Sequence, residues 1–178
     1  MRSGETPAHA TLMTENSAAS TKPRRKLRSI RCSAKYSKRK GMMAEMIFVV
    51  KAASMGFAVS KPYGDCEPYD LIVEEGGRLL RIQVKSVFST ARWGYTVAVA
   101  RQHYRGPMTQ YSAQEIDFIA AYVVPHDVWY IVPIAEIGNS TQIHLYPEGA
   151  KRINGALFEK YREAWDLLRR GAARPTQP

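Results

Sequence analysis

Cysteine is scarce in this chain: only Cys32 and Cys66 occur, far apart and in no C-x-x-C arrangement. That leaves no basis for a disulfide framework or a structural zinc site, and a reducing, cytoplasmic compartment is the expectation. Histidine is equally sparse, and His9, His103, His126 and His144 show no metal-ligand spacing. A Gly-rich phosphate loop and a nucleophile elbow are also missing, which removes the motif basis for nucleotide-binding and serine-hydrolase chemistry. No apolar run approaches the roughly 20 residues that a membrane-spanning helix needs, and the N-terminus has no apolar stretch of the secretory type. A soluble protein with no membrane partner is expected.

Acidic residues are nearly absent from the first part of the chain. Residues 1–40 hold eleven Lys and Arg against Glu5 and Glu15, which leaves fifteen basic and fourteen acidic residues in 41–178. The formal net charge of +10 therefore belongs almost entirely to the N-terminal segment. Residues 1–36 mix Ser, Thr, Pro, Ala and basic side chains without an apolar period, a composition that cannot offset its own ordering entropy. They read as a disordered basic tail, and residues 171–178 as a disordered C-terminus. Such a tail adds salt-sensitive, sequence-independent affinity for a polyanion, although a solvated terminus or a transit peptide has the same composition. The function of the body has to come from particular residues.

From Gly41 the character changes to GMMAEMIFVVKAASMGF, a helix-forming run with a plausible C-terminal cap at Gly56. FAVSKP follows as a short strand, and YDLIVEE and RLLRIQVKSVF, separated by Gly76 and Gly77, read as a hairpin. GYTVAVA offers a third long strand after a loop with Arg92 and Trp93, while Arg101 to Tyr111 reads as loop. IDFIAAYVV and VWYIVPI are two further strands around the Pro125, His126, Asp127 turn. Leu157, Phe158, Tyr161, Trp165 and Leu168 give 156–170 the spacing of an amphipathic helix. The order predicts an α/β fold, a mixed sheet flanked by helices in a single domain over 41–170.

Two glycines at the centre of a tight turn fix a register, because both can take positive φ without steric cost. Paired residues then have numbers that add to 153, which sets Asp70 opposite Gln83. Strand side chains alternate, so Arg81, Gln83 and Lys85 share the face that Asp70 joins, while Leu71, Val73, Leu80, Ile82 and Val84 fill the other. Directly opposed side chains are close enough for one cation to bridge a carboxylate and an amide oxygen. Glu45 is the only charge between Gly41 and Val50, with Gly41, Met42, Phe48 and Val49 as its helical neighbours. A carboxylate in such company takes up a proton, finds a cationic partner or reaches solvent from the helix edge.

The joint order of these features, a helix with Glu45, Tyr69-Asp70, a Gly turn and Gln83-Val84-Lys85, resembles the PD-(D/E)xK nuclease superfamily. It is similar to the branch of small bacterial endonucleases that includes a cyanobacterial group I intron homing endonuclease, in which Gln replaces the second acid. The similarity extends through YSAQEIDFIAAYVVPHDVWYIVPIAEI and EKYREAWDLL, over residues 41–170. It implies a restriction-endonuclease-like fold and a metal-dependent DNA endonuclease. Asp70, Gln83, the Val84 carbonyl and Glu45 would hold Mg2+, with Mn2+ as a substitute, and Lys85 would act on the attacking water or on the transition state. Ser86, Arg92, Arg101, His103 and Arg105 follow the active-site strand and are the candidates for grip on double-stranded DNA, used at the bacterial nucleoid. Trp93 reads as either a DNA contact or a packed core residue. A symmetric duplex cut would need a homo-oligomer.

Two other functions stay open at this point. A DNA-binding module that keeps the fold without cleavage is consistent with Gln83, and a basic RNA-binding protein is consistent with the tail.

Overall fold

In the computed structural model, residues 34–64, 66–91, 94–102, 106–149 and 156–170 are described. The expected basic tail, but for its last three residues, and the expected terminus 171–178 lie outside them. The chain divides into two units, Met1–Arg31 and Cys32–Pro178, and every described residue belongs to the second.

Helix α1 spans Ala34–Ser54 and begins ahead of the expected Gly41. Its added first turns, AKYSKRK, lack an apolar period but consist largely of Ala, Lys and Arg, which favour helix intrinsically. The helix ends as the sequence suggests. Gly56 takes φ +87, its N–H donates to Ala53 O at 2.9 Å, and Phe57 N–H donates to Ala52 O at 3.1 Å, the paired bonds of a Schellman cap.

Strands β1 (Ala58–Ser60), β2 (Leu71–Glu75) and β3 (Arg78–Val87) follow. Gly76 and Gly77 have φ +59 and +75, the double positive φ of the favoured two-residue hairpin turn. The register is Leu71 to Ile82 and Val73 to Leu80, so paired numbers add to 153 as predicted.

GYTVAVA does not form one strand. It divides into β4 (Tyr95–Ala98) and β5 (Ala100–Gln102), and β5 pairs with β6 (Met108–Gln110) inside the segment read as loop. Strands of three residues carry too little alternation to be seen in sequence. After β7 (Phe118–Val123) and β8 (Val128–Pro133), β9 (Gln142–Leu145) returns to pair with β4. The central sheet has the order β1-β2-β3-β7-β8 and is antiparallel except where β3 meets β7 in parallel.

The C-terminal helix is shorter than expected: a 3-10 turn at Glu159–Tyr161 precedes a five-residue helix, α2 (Asp166–Arg170). Glu163 breaks the helical path. Its N–H donates to Trp129 O at 2.7 Å, and its carboxylate accepts from Trp129 N–H at 2.6 Å and Trp165 Nε1–H at 2.8 Å. Backbone groups on the edge strand β8 would otherwise lack partners, and satisfying them outweighs continuing the helix.

Packing covers both faces of the sheet. On one, Ala44, Phe48 and Ala52 of α1 meet Leu71, Ile82, Val84, Trp129 and Trp165. On the other, Ile119, Ala121, Tyr130 and Val132 meet Tyr95, Val97, Ile143 and Leu145 of the β4–β9 ribbon. Every residue of β7 is buried, which explains its unbroken apolar sequence. Among the described residues no helix is long and apolar enough to cross a membrane.

Candidate active site

Asp70 stands just ahead of β2, where its N–H donates at 2.9 Å to the carbonyl of Ile82, the ladder partner of Leu71, one residue out of the hairpin's register. The ladder turns its carboxylate toward β3. Oδ2 accepts the Val84 N–H at 2.7 Å and a side-chain hydrogen bond from Gln83 Nε2. The Gln83 amide also reaches Val84 O at 3.4 Å. One carboxylate, one amide and one backbone carbonyl thus gather on the predicted face of the hairpin. Oxygen and nitrogen of the amide exchange places on a half-turn, so Gln83 offers this point either a donor or a hard oxygen. Gln83 is only 8% exposed, and its neighbours fix its aim.

Glu45 comes to the site from α1, half-buried one residue beyond Ala44 of the core. It has found a cation: Lys61 Nζ lies 2.5 Å from Oε2, on the segment that leaves β1. Asp70 also senses the Glu45 charge. Burial pushes the Asp70 carboxyl above its ordinary range and the Glu45 charge adds to the rise, while the Val84 N–H, Lys85 and Lys61 oppose it.

Lys85 shares the face of Gln83, and its Nζ donates to Tyr111 Oη at 3.2 Å. Burial pulls its proton affinity down and the Arg101 charge pulls the same way, while Asp70 raises it. Tyr111, just beyond β6, had no place in the sequence-based site. It is 8% exposed, and burial, reinforced by the Asp70 charge, pushes its hydroxyl up to about 12. The guanidinium of Arg101 lies 5.0 Å from the centre of the same ring and pairs with Glu115. Glu115 in turn accepts from Ser112 N–H at 2.9 Å and Ser112 Oγ–H at 3.1 Å. The S-A-Q-E spelling is a capping-box signal, the one hint in the sequence that this segment is anchored.

The expected DNA contacts fare unevenly. Ser86 is half-buried on the α1 side of β3, because it alternates with Lys85. Arg101 is engaged with Glu115 and Tyr111. Arg92, Trp93, His103 and Arg105 lie outside the described residues. Arg81, which shares the Gln83 face, is held by Asp117: its N–H and Nε–H donate to Oδ2 at 2.8 and 3.1 Å. Further bonds run from its guanidinium to the carbonyls of Ala113 and Gln114. This pair ties β3 to the start of β7 and stands beside the site as a structural support.

As for a metal, the hard oxygens that converge are the Asp70 carboxylate and the Val84 carbonyl, a half-turn of the Gln83 amide would add a third, and Glu45 is close enough to act electrostatically on Asp70. Among the described residues no three His, Cys, Asp or Glu side chains gather where an ion could be held. Two carboxylates are the acidic complement. That suits an ion such as Mg2+, which keeps several waters and takes one or two carboxylates, and it does not suit an all-protein cage.

A hairpin that presents Asp and Gln-x-Lys on one face, a nearby helical Glu and a mixed sheet flanked by helices define a nuclease-like fold. The chain belongs to the PD-(D/E)XK endonuclease family, whose model matches residues 35–168. Among solved structures it is similar to a bacterial homing endonuclease, I-Ssp6803I, with 34% identity and a TM-score of 0.67 over 75% of this chain and 93% of that one. No curated protein matches.

Proposed function

We propose that this chain is a metal-dependent DNA endonuclease that hydrolyses phosphodiester bonds at the Asp70–Gln83–Lys85 face of the β2–β3 hairpin. The observation that carries the reading is the meeting of Asp70 Oδ2, the Gln83 amide and the Val84 carbonyl on the face that also holds Lys85. Asp70, Gln83 and Val84 O would hold Mg2+, or Mn2+ in its place, with Glu45 joining directly or through water. When bound, such an ion neutralises charge that builds on the phosphate and activates water. Asp70, held by the Val84 N–H, keeps one carboxylate orientation throughout. Lys85, whose neutral form burial favours, orients the attacking water and accepts its proton. Glu45 keeps the locality anionic, and Lys61 balances it on the outer side.

DNA as partner is supported by the family and by the basic excess of residues 1–40. Domain limits of 41–170 after a basic N-terminal tail, use at the nucleoid and pairing of copies for a duplex cut belong to the same proposal. A binding module without cleavage is the second reading, favoured by Gln83, an amide where the usual pattern has a second acidic side chain.

The test is Mg2+- or Mn2+-dependent nicking of supercoiled plasmid by wild type, Lys85→Ala and Asp70→Ala, purified alike, with EDTA as control. Cleavage by wild type alone, falling at least a hundredfold in both variants, is expected. Binding without cutting across metals and substrates selects the binding module. Equal cutting by all three proteins overturns the residue assignment.

A further inference from the structure

The four motif residues leave one requirement unmet. A lysine ammonium sits on a flexible stem with rotatable donors, and ordering that stem carries a sizeable entropy cost. The Asp70 carboxylate competes for it, since the two groups attract. Lys85 must be held apart from Asp70 to be of use to a water or a phosphate.

We propose that Tyr111 is the positioning residue for Lys85, its hydroxyl holding Nζ in place while Arg101 and Glu115 brace the ring from behind. This rests on the nuclease reading above and deepens it. Three contacts place the phenol. Its Oη accepts from Lys85 Nζ at 3.2 Å. Its ring takes the Arg101 guanidinium at 5.0 Å. Its body is buried in the core with Ile116, Ile119 and Ala121. Arg101 is itself fixed by Glu115, and Glu115 by both donors of Ser112, so the chain of contacts ends on backbone. Glu115 pairs with the guanidinium of Arg101 and so moderates the like charge that Arg101 brings against Lys85. The β5–β6 ribbon thereby serves the site without contributing a motif residue.

The position also suits the residue type. Phe at 111 would keep the packing and the cation-facing ring but lose the acceptor, and Leu would lose both. No metal ligand is altered by either change.

Two measurements on the full chain test the proposal. The first is 13C relaxation at Lys85 Cε in lysine-labelled protein, with the resonance assigned by Lys85→Arg. Wild type should show Lys85 far more ordered than the exposed lysines, and Tyr111→Phe should bring it to their level. The second is single-turnover cleavage of a duplex with Mg2+. Tyr111→Phe should lower kcat about tenfold or more with KM unchanged, since misplacement of a reacting group acts on the chemical step. An equally ordered Lys85 in wild type and Tyr111→Phe overturns the positioning role whatever the cleavage data show. If wild type orders Lys85 and Tyr111→Phe releases it while neither protein cuts DNA, the positioning role stands and the nuclease reading fails. Tyr111→Phe that matches wild-type kcat also overturns the proposal. Should Tyr111→Leu unfold, the Phe variant still decides.

Discussion

The N–H of Val84 points at Asp70 Oδ2 over 2.7 Å, so the carboxylate ahead of β2 is tied to the backbone of β3 one residue before Lys85. Asp70 and Lys85 are therefore fixed to a single hairpin, and a change at one reaches the other through covalent and hydrogen-bonded geometry.

Asp70→Asn follows from that bond. Folding raises the Asp70 proton affinity, chiefly through burial, so the ionised carboxyl costs stability. The cost is fully present above the raised pKa and disappears as the pH falls through it toward the ordinary 3.8. The Asp70→Asn variant should melt above wild type at pH 7, and the gap should close as the pH is lowered into the acid range. Mg2+ should raise the melting temperature of wild type and leave that of Asp70→Asn unmoved, because only a site that binds the ion gains from it. A common response to Mg2+ would remove Asp70 from the ligand set.

Lys85 gives the mirror case. Burial lowers its proton affinity in the folded state, so the cost of its charge is present below the lowered pKa and is relieved as the pH rises through it toward 10.5. Lys85→Met should be more stable than wild type at pH 7, with the difference shrinking toward pH 10, and should be inactive at every pH. Thermal melts across that range give the comparison. A difference that widens with pH would reverse the sign and the argument.

Asp117 lies outside the proposed catalytic set, and its visible role is to hold Arg81 in the fold. Removing it takes the only carboxylate paired with Arg81 among the described residues from a side chain that is 21% exposed and leaves the guanidinium the Ala113 and Gln114 carbonyls. Asp117→Ala should cost about 3 kcal/mol in urea unfolding, since the charge left behind keeps little solvent to replace its partner. Asp117→Asn, which keeps an acceptor, should lose less.

Much of this was legible in the sequence. Gly76 and Gly77 fixed the turn type, the turn type fixed the register, and the register brought Asp70 to Gln83. Glu45 stood out as a charge among apolar neighbours, but its partner Lys61, sixteen residues on, did not. A salt bridge of that kind depends on where β1 ends and has no periodic trace. Tyr111 escaped for a related reason: it lies in a segment of short strands, Gly, Pro and basic residues, where no alternation exists to be counted. The shortened α2 escaped because the spacing from Leu157 to Leu168 is helical, while the claim of edge strand β8 on Glu163 is a tertiary effect.

The parallel pairing of β3 with β7 carries a consequence for how the site comes into being. Asp70 and Gln83 are 13 residues apart and meet as soon as a local hairpin closes, whereas Lys85 and Tyr111 are 26 apart, the tyrosine lying within the crossover that must fold back for β7 to dock on β3. Contacts of low sequence separation form at little entropic cost, and long crossovers are slow. The acidic half of the site can thus be assembled on a nascent chain while its lysine still swings freely, and the lysine is captured only when the sheet has been completed.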